Sequence, residues 1–177
     1  MNKYNIDGID VDLEVNSYNN LDSNWEPFIN NLYARLKPQG KLLTAAVADW
    51  EGDLLPATAF NKLDLVNVMA YEDYATAVNS LNYFVNTKHL AKEKLVLEVA
   101  FFGYTSSGEY IGYKDIIAQY PDAWNVDSYA GIHYVGAASM RDQTILGKGY
   151  GGIMIWELSL DAPGNKSLLK VIGDNIK

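Results

Sequence analysis

The chain has 177 residues, of which 49% are hydrophobic and 20% are charged, and it contains no cysteine. This length and composition predict one globular domain with a sizeable core. The absence of cysteine excludes disulfides, thiolate metal sites and cysteine nucleophiles. The formal net charge of −8, without an offsetting basic cluster, argues against a nucleic-acid partner.

Strand-like and helix-like patterns alternate along the chain. Short apolar runs predict strands at residues 4–15, 42–48, 63–71, 95–102 and 152–157. Helical spacing of apolar residues predicts helices from Ser23 or Asn24 to Leu36, and over residues 76–90, 114–120, 137–148 and 165–177. The rest of residues 103–134 is predicted to be irregular. The alternation predicts an α/β fold of parallel strands with right-handed crossovers, in a single domain spanning residues 1–177.

The most informative segment is D-G-I-D-V-D-L-E, at residues 7–14. Side chains alternate faces along a strand, so Asp10, Asp12 and Glu14 point the same way. Three adjacent carboxylates repel one another, and in a buried setting some of them have to be protonated or to share protons. Enzymes obtain a general acid in this way, and Glu14 is nearest the end of the strand that carries active sites in parallel α/β proteins.

Two other interpretations of this segment compete. A calcium loop of the EF-hand type needs polar residues between its acids, whereas Val11 and Leu13 are apolar. A solvent-facing acidic edge strand is the second alternative. The apolar flanks and the parallel pattern favour a buried strand instead.

The segment resembles the D-G-x-D-x-D-x-E signature of glycoside hydrolase family 18, the chitinases and endo-β-N-acetylglucosaminidases. Residues 67–71, N-V-M-A-Y, resemble the M-x-Y-D segment on the sixth barrel strand of this family. Residues 151–157, G-G-I-M-I-W-E, resemble its eighth strand. The resemblance implies a (β/α)8 TIM barrel, of which this chain holds roughly the fourth to eighth strands and lacks the first three β/α units.

The resemblance also implies hydrolysis of β-1,4-linked N-acetylglucosamine glycans, chitin-like or from an N-glycan core, with retention of configuration. The substrate's own N-acetyl oxygen is the nucleophile in this family. Glu14 corresponds to the acid that protonates the glycosidic oxygen. Asp12 corresponds to the residue that orients the acetamide, and Asp10 to the neighbour that shares its proton. Tyr71 corresponds to the tyrosine that holds the N-acetyl oxygen.

Further residues are implied in substrate binding. Trp156 matches the aromatic floor of the sugar site, and Met69 shares strand parity with Tyr71, so both can face the barrel interior. The family tyrosine is usually followed by Asp. In this chain Glu72 follows and Asp73 comes next, and either can supply the contact to a sugar hydroxyl.

A second departure lies on the fourth predicted strand, where Glu98 stands at a position that carries Gly in the family. An inward-pointing carboxylate there needs a partner or a proton. Two roles stay open for Glu98, as a ligand of a sugar subsite or as a strained structural residue.

The expected ligand is an oligo- or polysaccharide containing N-acetylglucosamine. The sequence shows no phosphate loop, dinucleotide motif or metal-ligand spacing, so no cofactor and no metal are expected. No apolar run is long enough for a membrane span, and no signal peptide is visible. The resemblance nevertheless implies a secreted, cell-surface or periplasmic protein.

Two rival functions stay open. A non-catalytic carbohydrate-binding protein of the same fold usually lacks the signature glutamate, whereas Glu14 is present. An inactive partial barrel that self-associates through two unpaired edge strands is the other. For this 177-residue chain we expect weak hydrolysis or none.

Overall fold

The computed structural model describes residues 4–14 and 22–177. Within them, the strands are β1 (Gly8–Asp12), β2 (Leu42–Val47), β3 (Leu65–Met69), β4 (Leu95–Ala100), β5 (Phe102–Thr105), β6 (Tyr110–Gly112), β7 (Ser128–Tyr129), β8 (Ile132–Tyr134) and β9 (Gly152–Trp156). The helices are α1 (Asp22–Leu36), α2 (Asp49–Gly52), α3 (Ala57–Phe60), α4 (Tyr74–Asn86), α5 (Tyr113–Gln119), α6 (Ala137–Lys148) and α7 (Leu168–Asn175).

A parallel sheet with the order β1-β2-β3-β4-β9 forms the centre of the fold. Helices connect its strands, which confirms the α/β class, and the sheet curls as in part of a TIM barrel. Each predicted strand is present with narrower bounds, although the predicted end of the first, at residue 15, lies outside the described residues. The prediction that these strands are the fourth to eighth of the family barrel is not confirmed by the sheet itself. In the chain's own numbering, the sheet consists of β1 to β4 and β9.

The prediction that most of residues 103–134 is irregular is wrong. This region folds into a second, antiparallel sheet with the order β6-β5-β8-β7, and only its helix α5 was expected. Strands of two to four residues are too short for an alternating pattern to be recognised. Gly103 permits the close approach of β5 to β8, because a Cβ at this position would lie 2.3 Å from the carbonyl oxygen of His133.

The core lies between the parallel sheet and its helices. Trp25 of α1 contacts Phe60 of α3 with ring centroids 5.7 Å apart, and Phe60 contacts Phe84 of α4 at 5.8 Å. All three rings are almost fully buried, and burial of such large apolar surfaces is the main stabilising contribution to the fold. α1 spans Asp22–Leu36, so Ser23 and Asn24, the residues predicted to begin the helix, lie inside its first turn.

Strand β1 is an edge strand, which corrects the interpretation of the carboxylate segment. Within the described residues β1 pairs only with β2. Val11 packs into the core, whereas Asp10, Asp12 and Glu14 are exposed. The alternation correctly separates the two faces, but the face with the carboxylates is open to solvent, so the premise of a buried, low-dielectric row is wrong. In the described part of the chain, no helix is long and apolar enough to cross a membrane.

Candidate active site

A cavity of about 470 Å³ opens at the carboxyl ends of the parallel strands. Six of the predicted site residues line it: Asp12, Glu14, Met69, Tyr71, Glu72 and Trp156. Glu14 lies two residues beyond the end of β1, Tyr71 two residues beyond β3, and Trp156 is the last residue of β9. Two predicted residues, Asp10 and Asp73, are outside this lining.

Asp10 lies two residues before Asp12 on β1, and its carboxylate has hydrogen-bond partners of its own. Its Oδ1 accepts hydrogen bonds from the hydroxyl of Thr44 on β2 and from Nδ2 of Asn67 on β3, the latter at 3.0 Å. These two donors fix the carboxylate across three adjacent strands. Asp10 therefore supports the strand ends that carry Asp12, and its proton sharing with Asp12 stays a prediction.

The hydroxyl of Tyr71 is directed towards the sheet. It donates a hydrogen bond to Oε1 of Glu98, and Phe102 packs edge-on against the Tyr71 ring at 5.2 Å. Burial raises the pKa of Tyr71 above its usual value, and the hydrogen bond to Glu98 and the charges of Asp12 and Glu14 add to the shift. Tyr71 consequently keeps its proton and remains a hydrogen-bond donor.

Glu98 is the buried carboxyl group of the site, with 1% of its surface exposed. It lies on β4 opposite Met69 of β3 and Met154 of β9. Burial raises the pKa of Glu98 to about 7; the hydrogen bond from Tyr71 opposes the shift, and the charges of Asp12 and Asp10 increase it. Oε2 of Glu98 has no hydrogen-bond partner among the described residues. Glu98 does not line the cavity, so its hydrogen bond with Tyr71 links it to the site.

The two acidic residues after Tyr71 lie in different surroundings. Glu72 lines the same cavity as Glu14. Asp73 caps the N-terminus of α4, where Oδ1 accepts the Thr76 N–H at 2.8 Å. This hydrogen bond lowers the pKa of Asp73. Asp73 also lines an adjacent cavity of about 480 Å³, which shares four residues with the first, Tyr71, Glu72, Phe102 and Tyr104.

Several aromatic residues of the site were missed from the sequence. The additional rings that line the cavity are Trp50, Phe102, Tyr104 and Tyr110. Trp50, which is 54% exposed, belongs to α2, a single turn in which the buried Glu51 accepts the Ala48 N–H at 2.9 Å. The sequence pattern does not single out Phe102, Tyr104 or Tyr110, because the strands that carry them, β5 and β6, are only four and three residues long. Exposed rings beside carboxylates provide stacking surfaces and hydrogen-bond acceptors for neutral polar ligands such as sugars.

These features define a parallel α/β protein with an open, acidic and aromatic cleft at its strand ends. Residues 1–161 match the family described as "Glycosyl hydrolases family 18". The chain therefore belongs to glycosyl hydrolase family 18. The match begins at residue 1, so it does not confirm the prediction that the chain is the C-terminal part of the catalytic domain. A comparison with curated proteins gave no significant match.

Solved structures share the fold. The family 18 chitinase ChiB from Flavobacterium johnsoniae matches with a TM-score of 0.90 and 28% identity, over 99% of this chain and 62% of that one. A chitinase from Bacteroides thetaiotaomicron matches with a TM-score of 0.88 and 23% identity, over 99% and 65%. A third match is a mutant of catalytic domain 2 of the Ostrinia furnacalis Group II chitinase, in complex with penta-N-acetylchitooctaose, (NAG)5. Its TM-score is 0.81 and its sequence identity 18%, over 98% of this chain and 67% of that one. The chain thus spans less than two thirds of the length of the first two.

Proposed function

We propose that the protein hydrolyses β-1,4-linked N-acetylglucosamine glycans, chitin-like polymers or N-glycan cores, by substrate-assisted retaining catalysis. The observation that carries this proposal is the meeting of Glu14, Asp12, Tyr71 and Trp156 around one cavity. Family membership and the complex of a structural neighbour with an N-acetylated chitooligosaccharide support it. Because polymeric substrates of this kind lie outside the cytoplasm, we place the protein there, secreted, on the cell surface or in the periplasm.

The proposed reaction has two steps. Glu14 gives its proton to the glycosidic oxygen while the acetamide oxygen of the substrate attacks the anomeric carbon, so that the glycosidic bond breaks and a cyclic oxazolinium forms. Tyr71 donates a hydrogen bond to the attacking oxygen, and Asp12 accepts one from the acetamide nitrogen and offsets its positive charge. Water then attacks the anomeric carbon, the bond from that carbon to the acetamide oxygen breaks, and a proton of the water passes to Glu14, which restores both the acetamide and the acid.

We further propose that the five parallel strands correspond to the fourth to eighth strands of the family barrel. The order of the three signature segments along the chain supports this correspondence. Within the described residues, β1 and β9 each pair on one side only. Catalytic groups have to be held to within about 0.5 Å of their productive positions, so we expect weaker turnover from this open sheet than from a closed barrel.

Binding and turnover test the proposal separately. We expect a tetramer of β-1,4-linked N-acetylglucosamine to bind and to change the fluorescence of Trp50 and Trp156, which line the cavity. Cellotetraose, which lacks the acetamide groups, serves as the matched ligand and should bind more weakly. Glu14→Gln should keep the affinity and abolish release of a fluorophore from a chitobioside.

The control variant is Glu93→Gln, which makes the same chemical change at an exposed glutamate before β4, at the opposite end of the sheet. It should bind and hydrolyse like the unmodified chain. Unchanged hydrolysis by Glu14→Gln would overturn the assignment of the acid. Equal affinity for the two tetramers would overturn the proposed substrate class. Binding of the tetramer with no detectable hydrolysis by the unmodified chain would instead favour one of the two rivals, a carbohydrate-binding protein or an inactive partial barrel.

A further inference from the structure

The buried Glu98 and the partly buried Tyr71 are joined by one hydrogen bond, and the hydroxyl hydrogen of Tyr71 is needed in two places. A tyrosine hydroxyl has a single hydrogen to donate. In the structure Tyr71 donates it to Oε1 of Glu98, whereas the proposed reaction requires it at the acetamide oxygen of the sugar. The side chain of Glu98 therefore competes with the substrate for this hydrogen bond.

The outcome of the competition depends on whether Glu98 carries a proton. An ionised carboxylate only accepts hydrogen bonds, so it holds the hydrogen of Tyr71. A protonated carboxyl group can donate its own hydrogen to the Tyr71 oxygen, which leaves the phenolic hydrogen free to point into the cavity. The proton needed for this donation lies on Oε1, the oxygen that faces the Tyr71 hydroxyl, and Oε2 has no partner among the described residues that would hold the proton there instead.

We infer that Glu98 is a positioning residue that acts through Tyr71, its neutral form directing the tyrosine hydroxyl to the acetamide of a bound sugar and its ionised form withdrawing it. This inference rests on the proposed function for the identity of the ligand. Glu98 does not line the cavity and does not itself touch the sugar. The family resemblance assigns no role to a glutamate at this position, where a glycine is usual.

The groups around Glu98 place this exchange near neutral pH. From β1, Asp10 and Asp12 face it with negative charge, and from the end of β3 Tyr71 contacts it. Its neighbour on β9 is Met154, which does not titrate, while Glu14 acts on Tyr71 rather than on Glu98. Burial and the two aspartates together raise the pKa of Glu98 to about 7. The neutral form should dominate in mildly acidic solution and the ionised form in mildly alkaline solution.

One experiment follows the pair without any ligand. In protein labelled with ¹³C in its glutamate and tyrosine side chains, the carboxyl resonance of Glu98 should titrate near pH 7, about the value its surroundings set. This resonance is identified by its loss in Glu98→Gln and by its shift in Tyr71→Phe. The ¹³Cζ resonance of Tyr71 should move over the same pH range. Titration of Glu98 below about pH 5, like an ordinary glutamate, would overturn the inference.

A second experiment measures the affinity for the N-acetylglucosamine tetramer at about pH 5.5 and about pH 8.5. Loss of one hydrogen bond to the ligand should weaken binding by the unmodified chain about five-fold at the higher pH. Glu98→Gln, whose amide can donate to Tyr71 at any pH, should keep the tighter affinity at both values. Glu93→Gln should behave like the unmodified chain, and Tyr71→Phe should bind weakly without pH dependence.

The outcomes separate the two proposals. Equal pH dependence in the unmodified chain and in Glu98→Gln would overturn the positioning role and leave the proposed function intact. Absence of tetramer binding by both the unmodified chain and Glu93→Gln at either pH would overturn the proposed function, and the role of Glu98 towards a sugar with it. Thermal unfolding of each variant at both pH values shows that the compared proteins are folded.

Discussion

The carboxyl groups around the cavity differ chiefly in their contact with water. Glu14 and Asp12 are exposed, whereas Glu98, on β4, is almost fully buried. An exposed acid exchanges protons freely with solvent, which suits a group that is recharged after each turnover. A buried carboxyl group pays a desolvation cost when it ionises. Glu98 is therefore suited to hold a neighbour in place, and it should also affect stability.

We expect the free energy of unfolding to fall as the pH rises from about 4.5 to about 7, the ordinary and the folded-state pKa of Glu98. The folded chain holds this proton more tightly than the unfolded chain, so deprotonation favours unfolding in that range. Glu98→Gln removes the effect. At about 1.4 kcal/mol per pKa unit, the variant should be more stable than the unmodified chain by up to about 3 kcal/mol near pH 8.

Urea denaturation of the two proteins near pH 4 and near pH 8 measures this difference. Near pH 4 both side chains are neutral, so the two stabilities should agree closely. Glu93→Gln is again the matched control and should follow the unmodified chain at both values, because its side chain is exposed. A stability difference between Glu98→Gln and the unmodified chain that is the same at both pH values would contradict the expectation.

At the scale of elements, the start of α4 offers a test of whether Asp73 belongs to the site. Asp73→Ala removes the N-cap, since the Thr76 N–H loses its acceptor, and should lower the free energy of unfolding by about 1 kcal/mol. Asp73→Ser can accept the same hydrogen bond and should restore most of this stability. If capping is its whole role, both variants bind the N-acetylglucosamine tetramer like the unmodified chain. A loss of affinity in both would instead support the predicted sugar contact.

The three inner strands of the parallel sheet, β2, β3 and β4, could be predicted because each one buries a run of apolar residues between its neighbours and the helices. The signature segments likewise lie at strand ends, where Glu14, Tyr71 and Trp156 meet in the structure. The antiparallel sheet could not be predicted, since its strands are short and Tyr104 and Tyr110 are exposed, which leaves no apolar periodicity. The exposure of the carboxylate row depends on what covers the strand, and alternation within a strand carries no information about that.

At the scale of the whole molecule, the open sheet and the net charge act in opposite directions. Within the described residues, strands β1 and β9 leave one edge each without a partner strand, and unpaired edges are templates for pairing with another chain. The net charge of −8 repels approaching copies. The exposed carboxylates of β1 lie at one of these edges and add local repulsion, a common protection of edge strands.

We therefore expect reversible self-association that becomes stronger with salt. At about 0.02 M salt the charges of two copies repel over tens of ångströms, whereas at about 0.5 M this repulsion is screened within a few ångströms. Light scattering on a concentration series should give a mass near the 19.7 kDa of one chain at low salt. At high salt the mass should rise with concentration and fall again on dilution. A constant mass of one chain at every concentration in both salts would contradict this expectation. In that case the two sheet edges are protected well enough for the cleft to act in a single copy.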